Sequence, residues 1–333
     1  MRVLKAGAHT SIQDTGRFGY QKYGVIVSGA MDPFALRTAN LLVGNDEDEA
    51  GLEVTLQGPA LEMQQDVWIS ICGADLSAQL DGQLVPQWRP VFARKGATLH
   101  FGKPRAGCRA YVAVAGGFAV SAVLGSKSTY LRAGIGGYGG RALQAGDELP
   151  IGELKTPVQK RMQKFVEALS DGAFATTGWC VSARLFPAYS DAPEVRVVRG
   201  PEYALFTPSS QEAFVSTQYV VTPQSDRMGY RLEGPPLSFL ETRQLISTAV
   251  TWGTVQVPAD GKPIVLMADR QTTGGYPRIA QVITADIPVL AQLKPGAKVG
   301  FTQTTVEDAQ AILRRRQQEF SMLKMAIEDS WER

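Results

Sequence analysis

Residues 13–20 read QDTGRFGY and residues 224–230 read QSDRMGY, so one polar, arginine-bearing turn occurs twice in the chain. A Gly-Pro signature follows each turn, LQGPALE at 56–62 and LEGPPLS at 232–238. Aligning the turns gives an offset of 229 − 19 = 210 residues, and aligning the signatures gives 234 − 58 = 176. The first copy therefore holds 210 − 176 = 34 residues that the second lacks. We call 13–20 and 224–230 the two echo turns, and 56–62 and 232–238 the two Gly-Pro echoes. These repeats predict a duplicated β domain with an insertion in its first copy.

Short β-type runs bounded by Gly, Pro or Asp occur in both halves and predict strands. They lie at 52–56, 67–71, 97–101 and 109–114, then at 195–198, 254–257, 263–267, 279–283 and 297–301. A helix is predicted inside the insertion, from Phe34 to about Val43, because Asp32 can cap it and Gly44 can end it. Pro33 suits the first helical position.

The length of 333 residues exceeds that of most single cores, so we expect more than one domain. We place the first β domain at 1–150 and the second at 193–303. Between them, 151–192 is interpreted as a linker with a helix through KRMQKFVEALS. A long helix closes the chain at 304–333, with Thr304 and Glu307 as a predicted capping box. Its apolar stripe is interpreted as packing on its own domain, and partner binding is the alternative.

Composition excludes several functional classes. A formal net charge of +2 argues against a polyanion partner, and only two histidines argue against His-based zinc sites and a Ser-His-Asp triad. The three cysteines, Cys72, Cys108 and Cys180, have no CxxC spacing, and the first residues lack an apolar signal region. We therefore expect reduced thiols and a cytoplasmic location. The chemistry must come from Asp, Glu, Arg, Lys, Tyr, Ser, Thr or backbone amides.

Two glycine-rich matches are rejected. Residues 134–139 satisfy GxGxxG but are followed by RALQAGDELP, which does not form the helix that a dinucleotide site needs. Residues 125–128 resemble the end of a P-loop, but Val120 stands where the first glycine is required. The segment 124–141 still combines glycines with Ser, Thr, Lys and Arg, including Arg132. It predicts either a backbone anion site or a plain surface loop.

The strongest local signal is MADRQTTGGYPR at 267–278, a turn dense in polar side chains between two apolar strands. Such loops on rigid strands commonly carry binding residues. The two echo turns add Asp and Arg residues, because an Arg fork binds carboxylate or phosphate and an adjacent Asp can orient it or act as a base. Such Asp-Arg pairs can also have a purely structural role and stabilise a turn, and that alternative stays open.

Taken together, these motifs resemble the biotin-dependent carboxyltransferase family, which includes chains labelled allophanate hydrolase subunit 2 and the C subunit of 5-oxoprolinase. The resemblance is carried by 13–45, 51–63, CGADLSA, YVAVAGGF, the 124–152 block, SDRMGYRLEGPPL and the 255–286 block. It covers about 1–150 and 185–303 and is nearest to the 5-oxoprolinase C subunit. It implies two cyclophilin-like β-barrel domains, and so a mainly β fold. This chain has Thr248 where relatives carry a glutamate, so a carboxylate role there is in doubt.

The resemblance also implies an activity. The chain would be one subunit of an ATP-dependent 5-oxoprolinase that hydrolyses 5-oxo-L-proline to L-glutamate. Its partners would be a kinase-inhibitor-like B subunit and a lactam-utilisation-type A subunit. ATP would be bound at a subunit interface or on another subunit, since no ATP motif is visible. The alternatives are a carboxyltransferase subunit that takes biotin from a separate carrier, and a non-catalytic antagonist that binds the kinase-inhibitor-like partner.

For this activity we assign roles to residues of the two echo turns and the 267–278 loop. The predicted catalytic residues are Asp269, Arg270 and Asp226. The predicted substrate-binding residues are Arg227, Tyr230, Gln271, Thr272, Thr273, Gly274, Gly275, Tyr276, Arg278, Arg17, Tyr20 and Arg132. No metal site is predicted. The chemistry is expected in the second copy, where the Asp226-Arg227 turn and the richer loop belong to one domain.

Overall fold

The structure, a computed structural model, describes residues 1–155, 158–160, 174–241 and 245–332. Its contacts divide the chain into two compact units. Unit 1 comprises Met1–Arg17, Asp32–Phe186 and Glu319–Arg333, and unit 2 comprises Phe18–Met31 and Pro187–Gln318. The sequence-based boundaries treat each domain as one continuous stretch. Contacts instead group the early segment 18–31 with the second half of the chain and the last residues with the first half.

Unit 1 is built from two antiparallel sheets around one apolar core. Within the described residues, the larger sheet has the order β11-β8-β5-β10-β3-β2 and the smaller one β1-β4-β9-β6-β7. The strands are β1 Arg2–Lys5, β2 His9–Gln13, β3 Gly51–Thr55, β4 Ala60–Glu62, β5 Val67–Asp75, β6 Gln79–Leu80, β7 Gln83–Leu84, β8 Pro90–Ala93, β9 Thr98–His100, β10 Ala106–Val114 and β11 Phe174–Thr176.

The predicted inserted helix is present as α1, Pro33–Leu42. The Asp32 carboxylate accepts the Ala35 N–H at 3.0 Å, and Gly44 follows in the left-handed region. Asp32 and Gly44 are the residues from which the sequence predicted the start and the end of this helix. Seven of the ten residues of α1 are buried, and the Ser70 hydroxyl on β5 donates to the Ala39 carbonyl at 2.6 Å. The helix is thereby fixed to the larger sheet.

Unit 2 contains a closed barrel with the order β12-β19-β16-β17-β14-β13-β20 among the described residues. Parallel pairing of β12 with β20 closes it, which removes the exposed edges of an open sheet. A separate two-residue pairing joins β15 to β18. The strands are β12 Glu194–Arg199, β13 Tyr219–Val221, β14 Gly229–Glu233, β15 Thr248–Ala249, β16 Thr254–Gln256, β17 Ile264–Leu266, β18 Thr273–Gly274, β19 Arg278–Val282 and β20 Lys298–Gln303.

Helices of unit 2 are short apart from the last one. They are α2 Pro208–Ser216 and α3 Ile287–Ala291, with α4 Val306–Glu332 closing the chain. Short 3-10 turns lie at Gln21–Tyr23, Leu131–Ala133, Ala183–Leu185, Tyr203–Leu205 and Thr284–Asp286. None of the described helices combines the length and apolar character that crossing a bilayer requires.

Both Gly-Pro echoes contact an aromatic side chain of their own unit. A Cβ at Gly58 would clash with Phe101, and a Cβ at Gly234 would clash with the ring of Tyr219. Each glycine is therefore required by a close side-chain approach. The two aromatic residues are not at equivalent positions, because Phe101 follows Gly58 in the chain and Tyr219 precedes Gly234.

The long C-terminal helix α4 is confirmed, but its predicted cap is wrong by one residue. Thr305, not Thr304, accepts the Asp308 N–H at 3.1 Å, and its hydroxyl donates to the Asp308 carboxylate. The chain turns into the helix one residue later than the capping-box spacing suggested. Val306, at the start of the predicted apolar stripe, is 52% exposed.

The last part of α4 packs on unit 1. Phe320, Leu323, Ile327 and Trp331 are buried there. The Trp331 ring lies 5.5 Å from that of Trp68 and 6.0 Å from that of Trp179, edge to face in both cases. The sequence favoured packing of this helix on its own domain, whereas the surface that its last part covers belongs to the first half of the chain. The predicted linker helix through KRMQKFVEALS falls almost entirely outside the described residues.

Candidate functional site

A buried ion pair in unit 2 joins the second echo turn to the 267–278 loop. Arg227 Nε donates to Asp269 Oδ2 and Arg227 Nη2 to Asp269 Oδ1, both at 3.0 Å. The Ser28 hydroxyl also donates to Asp269 Oδ1, at 2.8 Å, and Arg227 Nη2 donates to the Gly29 carbonyl at 2.5 Å. Arg227 is 7% exposed and Asp269 5%. Such a fork-to-carboxylate pair is strongly oriented.

Strand pairing explains why Arg227 and Asp269 meet. Gly229 on β14 pairs with Leu266 on β17, and the ladder continues beyond both strands. The Met267 N–H donates to the Met228 carbonyl at 2.9 Å, and the Asp269 N–H to the Arg227 carbonyl at 2.8 Å. The two side chains are therefore cross-strand neighbours at the end of the barrel ladder.

Ser28 completes the pair and is a residue that sequence reasoning missed. It is 2% exposed and has φ 57°, a left-handed conformation that is costly for a residue with a side chain. Gly29, with φ 90°, continues this turn. The turn directs a hydroxyl and a carbonyl at the Arg227–Asp269 pair. Its only signal in the sequence is a small polar residue beside glycine within the apolar run VIVSGAM.

Arg270 places a second cation next to this pair. Its Nη1 donates weakly to the Met267 carbonyl at 3.4 Å, and within the described part of the chain no carboxylate forms an ion pair with it. Burial lowers the pKa of the Arg270 guanidinium to about 10, and Asp269 opposes the shift. The side chain stays cationic at neutral pH, so a half-buried positive charge is available for an anion.

The remainder of the loop forms a small layer of its own. Thr273 and Gly274, which make up β18, pair with Ala249 and Thr248, so Thr248, where the resemblance led us to expect a glutamate, lies in this strand pair. The neighbouring Val250 N–H donates to the Thr272 carbonyl at 3.2 Å. Gly275 lies close to Ser247.

Gln271 and Gln256 are linked under this layer. Gln271 Nε2 donates to Gln256 Oε1 at 3.2 Å. Gln256 is 1% exposed, and its Nε2 has no hydrogen-bond partner among the described residues. Tyr276, further along the loop, is 52% exposed. The loop therefore presents an unused donor as well as a cation.

Arg278, predicted as a substrate contact, is held by Glu202. Its Nε and Nη2 both donate to the Glu202 carboxylate at 2.7 Å. Desolvation acts to raise the pKa of Glu202, but hydrogen bonds from Arg278 outweigh it and lower that pKa. The same pairing raises the pKa of Arg278. Substrate binding by Arg278 stays a prediction, and its contacts here are those of a structural ion pair.

Three other predicted residues of unit 2 have structural contacts. Asp226 is exposed, and its Oδ1 accepts the Met228 and Gly229 N–H groups, which caps its own turn. Tyr230 is 1% exposed and donates to the Ala291 carbonyl at 3.2 Å inside the core. Tyr20 is half-buried before the turn Gln21–Tyr23. Their catalytic and binding roles stay predictions.

The first echo turn is engaged within unit 1. Arg17, which is fully buried, donates to the Val123 and Ser128 carbonyls at 2.8 and 2.9 Å. Asp14 Oδ2 accepts the Lys127 N–H at 2.6 Å, and Oδ1 accepts the hydroxyls of Ser126 and Ser128. The glycine-rich segment thus binds an anion, and that anion is Asp14. Arg132, in the same segment, is exposed.

These contacts test the fit of the cofactors implied by the resemblance. The loop nearest to a phosphate-binding pattern has its donors on Asp14, so the described residues do not fit a triphosphate there. A biotinylated lysine typically lies next to a methionine on a hairpin turn. Lys324 is next to Met325, but it lies within the helix α4 and donates to Glu47 at 3.4 Å. Within the described ranges, no group of three His, Cys, Asp or Glu side chains is placed to hold a metal.

Comparison with known proteins identifies the family. The model of the carboxyltransferase domain, subdomain A and B, matches residues 23–303. The chain belongs to the carboxyltransferase domain family. It is 41% identical over 325 residues to the 5-oxoprolinase C subunit of Escherichia coli K12, covering 97% of each chain. It is 34% identical over 327 residues to the 5-oxoprolinase C subunit of Haemophilus influenzae, covering 98% of each.

A solved structure of the urea carboxylase of Kluyveromyces lactis is also similar. The TM-score is 0.85 at 30% sequence identity, and the match covers 95% of this chain and 28% of that one. This carboxyltransferase-family chain therefore has the mainly β fold that its sequence predicted. Ser28 and Gln256 are the residues of its candidate site that the sequence did not indicate.

Proposed function

We propose that this chain is a subunit of an ATP-dependent 5-oxoprolinase that hydrolyses 5-oxo-L-proline to L-glutamate. The support is the identity of 41% and 34%, along nearly the whole chain, to two proteins named as the C subunit of 5-oxoprolinase. Those names also imply a complex of several subunits. We propose the kinase-inhibitor-like B subunit and the lactam-utilisation-type A subunit as the partners.

One observation carries the choice of site: the half-buried Arg270 cation lies beside the Arg227–Asp269–Ser28 network. The substrate is a small ring that carries a carboxylate and a lactam group. Arg270 has the charge and fork geometry to bind that carboxylate, and burial strengthens the attraction. The substrate ring would then be held next to Asp269.

Asp269 has the geometry to orient a water molecule. A carboxylate has about four acceptor positions. The described residues use three on Asp269, two on Oδ1 and one on Oδ2. One position on Oδ2 remains for a water molecule, whose proton Asp269 would accept as general base. Arg227 and Ser28 hold the carboxylate in place during this step.

The nucleotide is assigned to another subunit. In the glycine-rich segment, the donors of residues 126–128 already bind Asp14 and are not free to hold a triphosphate. We therefore propose that this chain binds and orients the lactam, while ATP acts from a partner. No step of the nucleotide chemistry is assigned to residues of this chain.

The test is a ring-opening assay with all three subunits, ATP and 5-oxo-L-proline, measuring glutamate. Arg270→Met should lower kcat/KM about 10- to 100-fold, since a hydrogen-bonded charge pair contributes roughly 1.5–3 kcal/mol. Arg231→Met is the matched control, because Arg231 lies on the barrel with an exposed side chain. It should stay within about twofold of wild type. Full turnover by Arg270→Met, or by a mixture lacking this chain, would contradict the proposal.

A carboxyltransferase subunit is the second candidate, favoured by the structural likeness to urea carboxylase. In this version biotin arrives on a separate carrier protein. Carboxylation of urea that depends on an added biotinylated carrier would support it. The third alternative, a non-catalytic antagonist, predicts tight binding of the kinase-inhibitor-like partner and unchanged turnover when Asp269 and Arg270 are both replaced by alanine.

A further inference from the structure

Two glutamines on neighbouring barrel strands differ in how fully they are hydrogen-bonded. Gln281, on β19, accepts from the Thr251 and Thr254 hydroxyls at 2.8 and 2.9 Å. Its Nε2 donates to the Trp252 carbonyl at 2.6 Å and the Val282 carbonyl at 3.1 Å. The side chain of Gln256, on β16, has one hydrogen bond among the described residues, which it accepts from Gln271.

The unused group of Gln256 is buried. Its Nε2 carries two N–H donors without an acceptor in the described part of the chain, although the residue is 1% exposed. Buried side-chain donors in proteins are nearly always paired, because an unpaired one loses its bonds to water without replacement. Gln256 Nε2 is one of several buried side-chain atoms without a partner among the described residues, and it is the one that lies beside the 267–278 loop, where a ligand atom would complete it.

Gly274 lies directly over this donor. A Cβ at position 274 would clash with Gln256 Nε2, so glycine is required there. The strand that carries Gly274 is joined by two residue pairs only, Thr248 with Gly274 and Ala249 with Thr273. Separation of this short strand pair would uncover Gln256 Nε2 without disturbing the closed barrel.

We propose that Gln256 is a substrate-binding residue, which donates from Nε2 to the carbonyl oxygen of a planar amide or ureido group. The inference rests on the proposed function in taking the 267–278 loop as the substrate site. Gln271 supplies the complementary group: its Nε2 is bound to Gln256, and its Oε1 has no donor among the described residues. A lactam or a urea offers a carbonyl oxygen and an N–H on one edge, which matches this donor and acceptor.

The pairing specifies the class of substrate. Arg270, the neighbour of Gln271, binds an anion, and the two glutamines recognise the amide edge. A ligand with a carboxylate and a lactam engages both features, whereas urea engages only the glutamines. A ring carboxylate without an amide engages only the cation. Gln256 is therefore the residue that selects for the amide.

The experiment measures binding by calorimetry to the full-length chain. The probes are 5-oxo-L-proline, urea and cyclopentanecarboxylate, which has the same ring size and charge but no amide. Wild type should bind 5-oxo-L-proline more tightly than cyclopentanecarboxylate. Gln256→Met should reduce that preference about 3- to 10-fold, the effect of one hydrogen bond between neutral groups. Gln271→Met, at a half-buried position, should reduce it in the same direction.

Thermal unfolding separates binding from a structural role. Gln256→Met removes an unpaired buried donor and one bond accepted from half-buried Gln271, so its Tm should stay close to that of wild type. Gln281→Met, the matched control, removes four bonds and should lower the Tm while leaving the probe preference unchanged. An unchanged preference in Gln256→Met, or a Tm loss like that of Gln281→Met, would overturn the inference.

The two proposals can fail separately. If the three-subunit assay forms glutamate and Gln256→Met keeps the wild-type KM, the proposed function stands and the role of Gln256 is refuted. If no glutamate forms but urea binding is lost in Gln256→Met, the role of Gln256 stands and the 5-oxoprolinase activity is refuted. Failure of wild type to bind 5-oxo-L-proline or urea refutes the role of Gln256.

Discussion

The two arginine-bearing turns have similar sequences and engage different partners. In unit 1, Arg17 donates to main-chain carbonyls, and Asp14 is surrounded by hydroxyl and N–H donors of the 126–128 segment. In unit 2, Arg227 pairs with Asp269, which lies 42 residues further along the chain. Asp226, the acid of the second turn, caps that turn at the surface. The same residue types thus build a closed scaffold in one unit and a charged site in the other.

The two units differ in whether a carboxylate of the chain itself accepts hydrogen bonds from the donors near each turn. Asp14 supplies an internal anion to residues 126–128, so the donors of this part of the glycine-rich segment are satisfied without a ligand. The loop after β17 has no equivalent: Arg270 lacks a carboxylate partner and Gln256 Nε2 lacks an acceptor in the described part of the chain. Of these two segments, the loop after β17 is therefore the one where we expect a binding site, because its donors are left for a ligand.

The largest effect is expected from Asp14→Ala. Replacing this buried carboxylate leaves several donors of the 126–128 segment unpaired, so unfolding free energy should fall by about 3–5 kcal/mol. Asp226→Ala, the corresponding change in the second turn, removes an exposed cap and should cost about 1 kcal/mol. Urea unfolding of the full-length chain measures both. Equal losses would remove the distinction between the turns.

Next in size is the coupling between Arg227 and Asp269. Arg227→Met leaves a buried carboxylate without its cation and should destabilise the chain by about 3–5 kcal/mol. Adding Asp269→Asn should restore part of this loss, which gives a coupling energy of about 1–3 kcal/mol in a double-mutant cycle. The cycle of Arg17→Met with Asp14→Asn should show weaker coupling, because these two side chains bind different groups of Ser128, its carbonyl and its hydroxyl. Similar coupling in both cycles would contradict the comparison.

A smaller effect is expected at the two Gly-Pro echoes, where both units place an aromatic side chain against a glycine. Gly58→Ala and Gly234→Ala each place a methyl group against an aromatic ring, Phe101 or Tyr219. Each change should cost about 1–3 kcal/mol by overpacking. Thermal unfolding of the two variants should give similar losses. A large loss in one and none in the other would argue against a close side-chain approach at both glycines.

The smallest effect concerns pH and the Glu202–Arg278 pair of unit 2. Because hydrogen bonds from Arg278 hold the pKa of Glu202 below its ordinary value of 4.5, against desolvation, the pair stabilises the fold above that pH. This contribution is lost as the pH falls through the lower, folded-state pKa. Glu202→Gln should therefore show a shallower loss of stability between about pH 5 and pH 3 than wild type. Parallel curves would exclude the pair as a source of acid sensitivity.

The sequence predicted the elements better than the site. β-Branched runs located strands such as β5, β10 and β20, and Asp32 with Gly44 bounded α1. These signals are local, since a few adjacent residues determine them. The contact between Arg227 and Asp269 depends on the β14–β17 register, which no local pattern shows.

Ser28 and Gln256 illustrate what local patterns omit. Ser28 belongs to the unit-2 core only through a segment that lies far from the rest of that unit in sequence. Gln256 is one polar residue in a buried strand, and its importance lies in a missing partner rather than in its identity. For the glycine-rich segment, the sequence did predict binding of an anion. It did not indicate that the anion is the Asp14 carboxylate of the same chain.

The tryptophans at the end of α4 give this chain a built-in optical signal. Edge-to-face indoles about 5.5–6.0 Å apart, as in Trp68, Trp331 and Trp179, couple their electronic transitions. Since the chain has five tryptophans, this trio should dominate its near-ultraviolet circular dichroism. Release of the helix end would erase that signal while the far-ultraviolet spectrum of the strands persisted. Packing of the end of α4 can thus be followed by circular dichroism, without a label, while partner subunits are added.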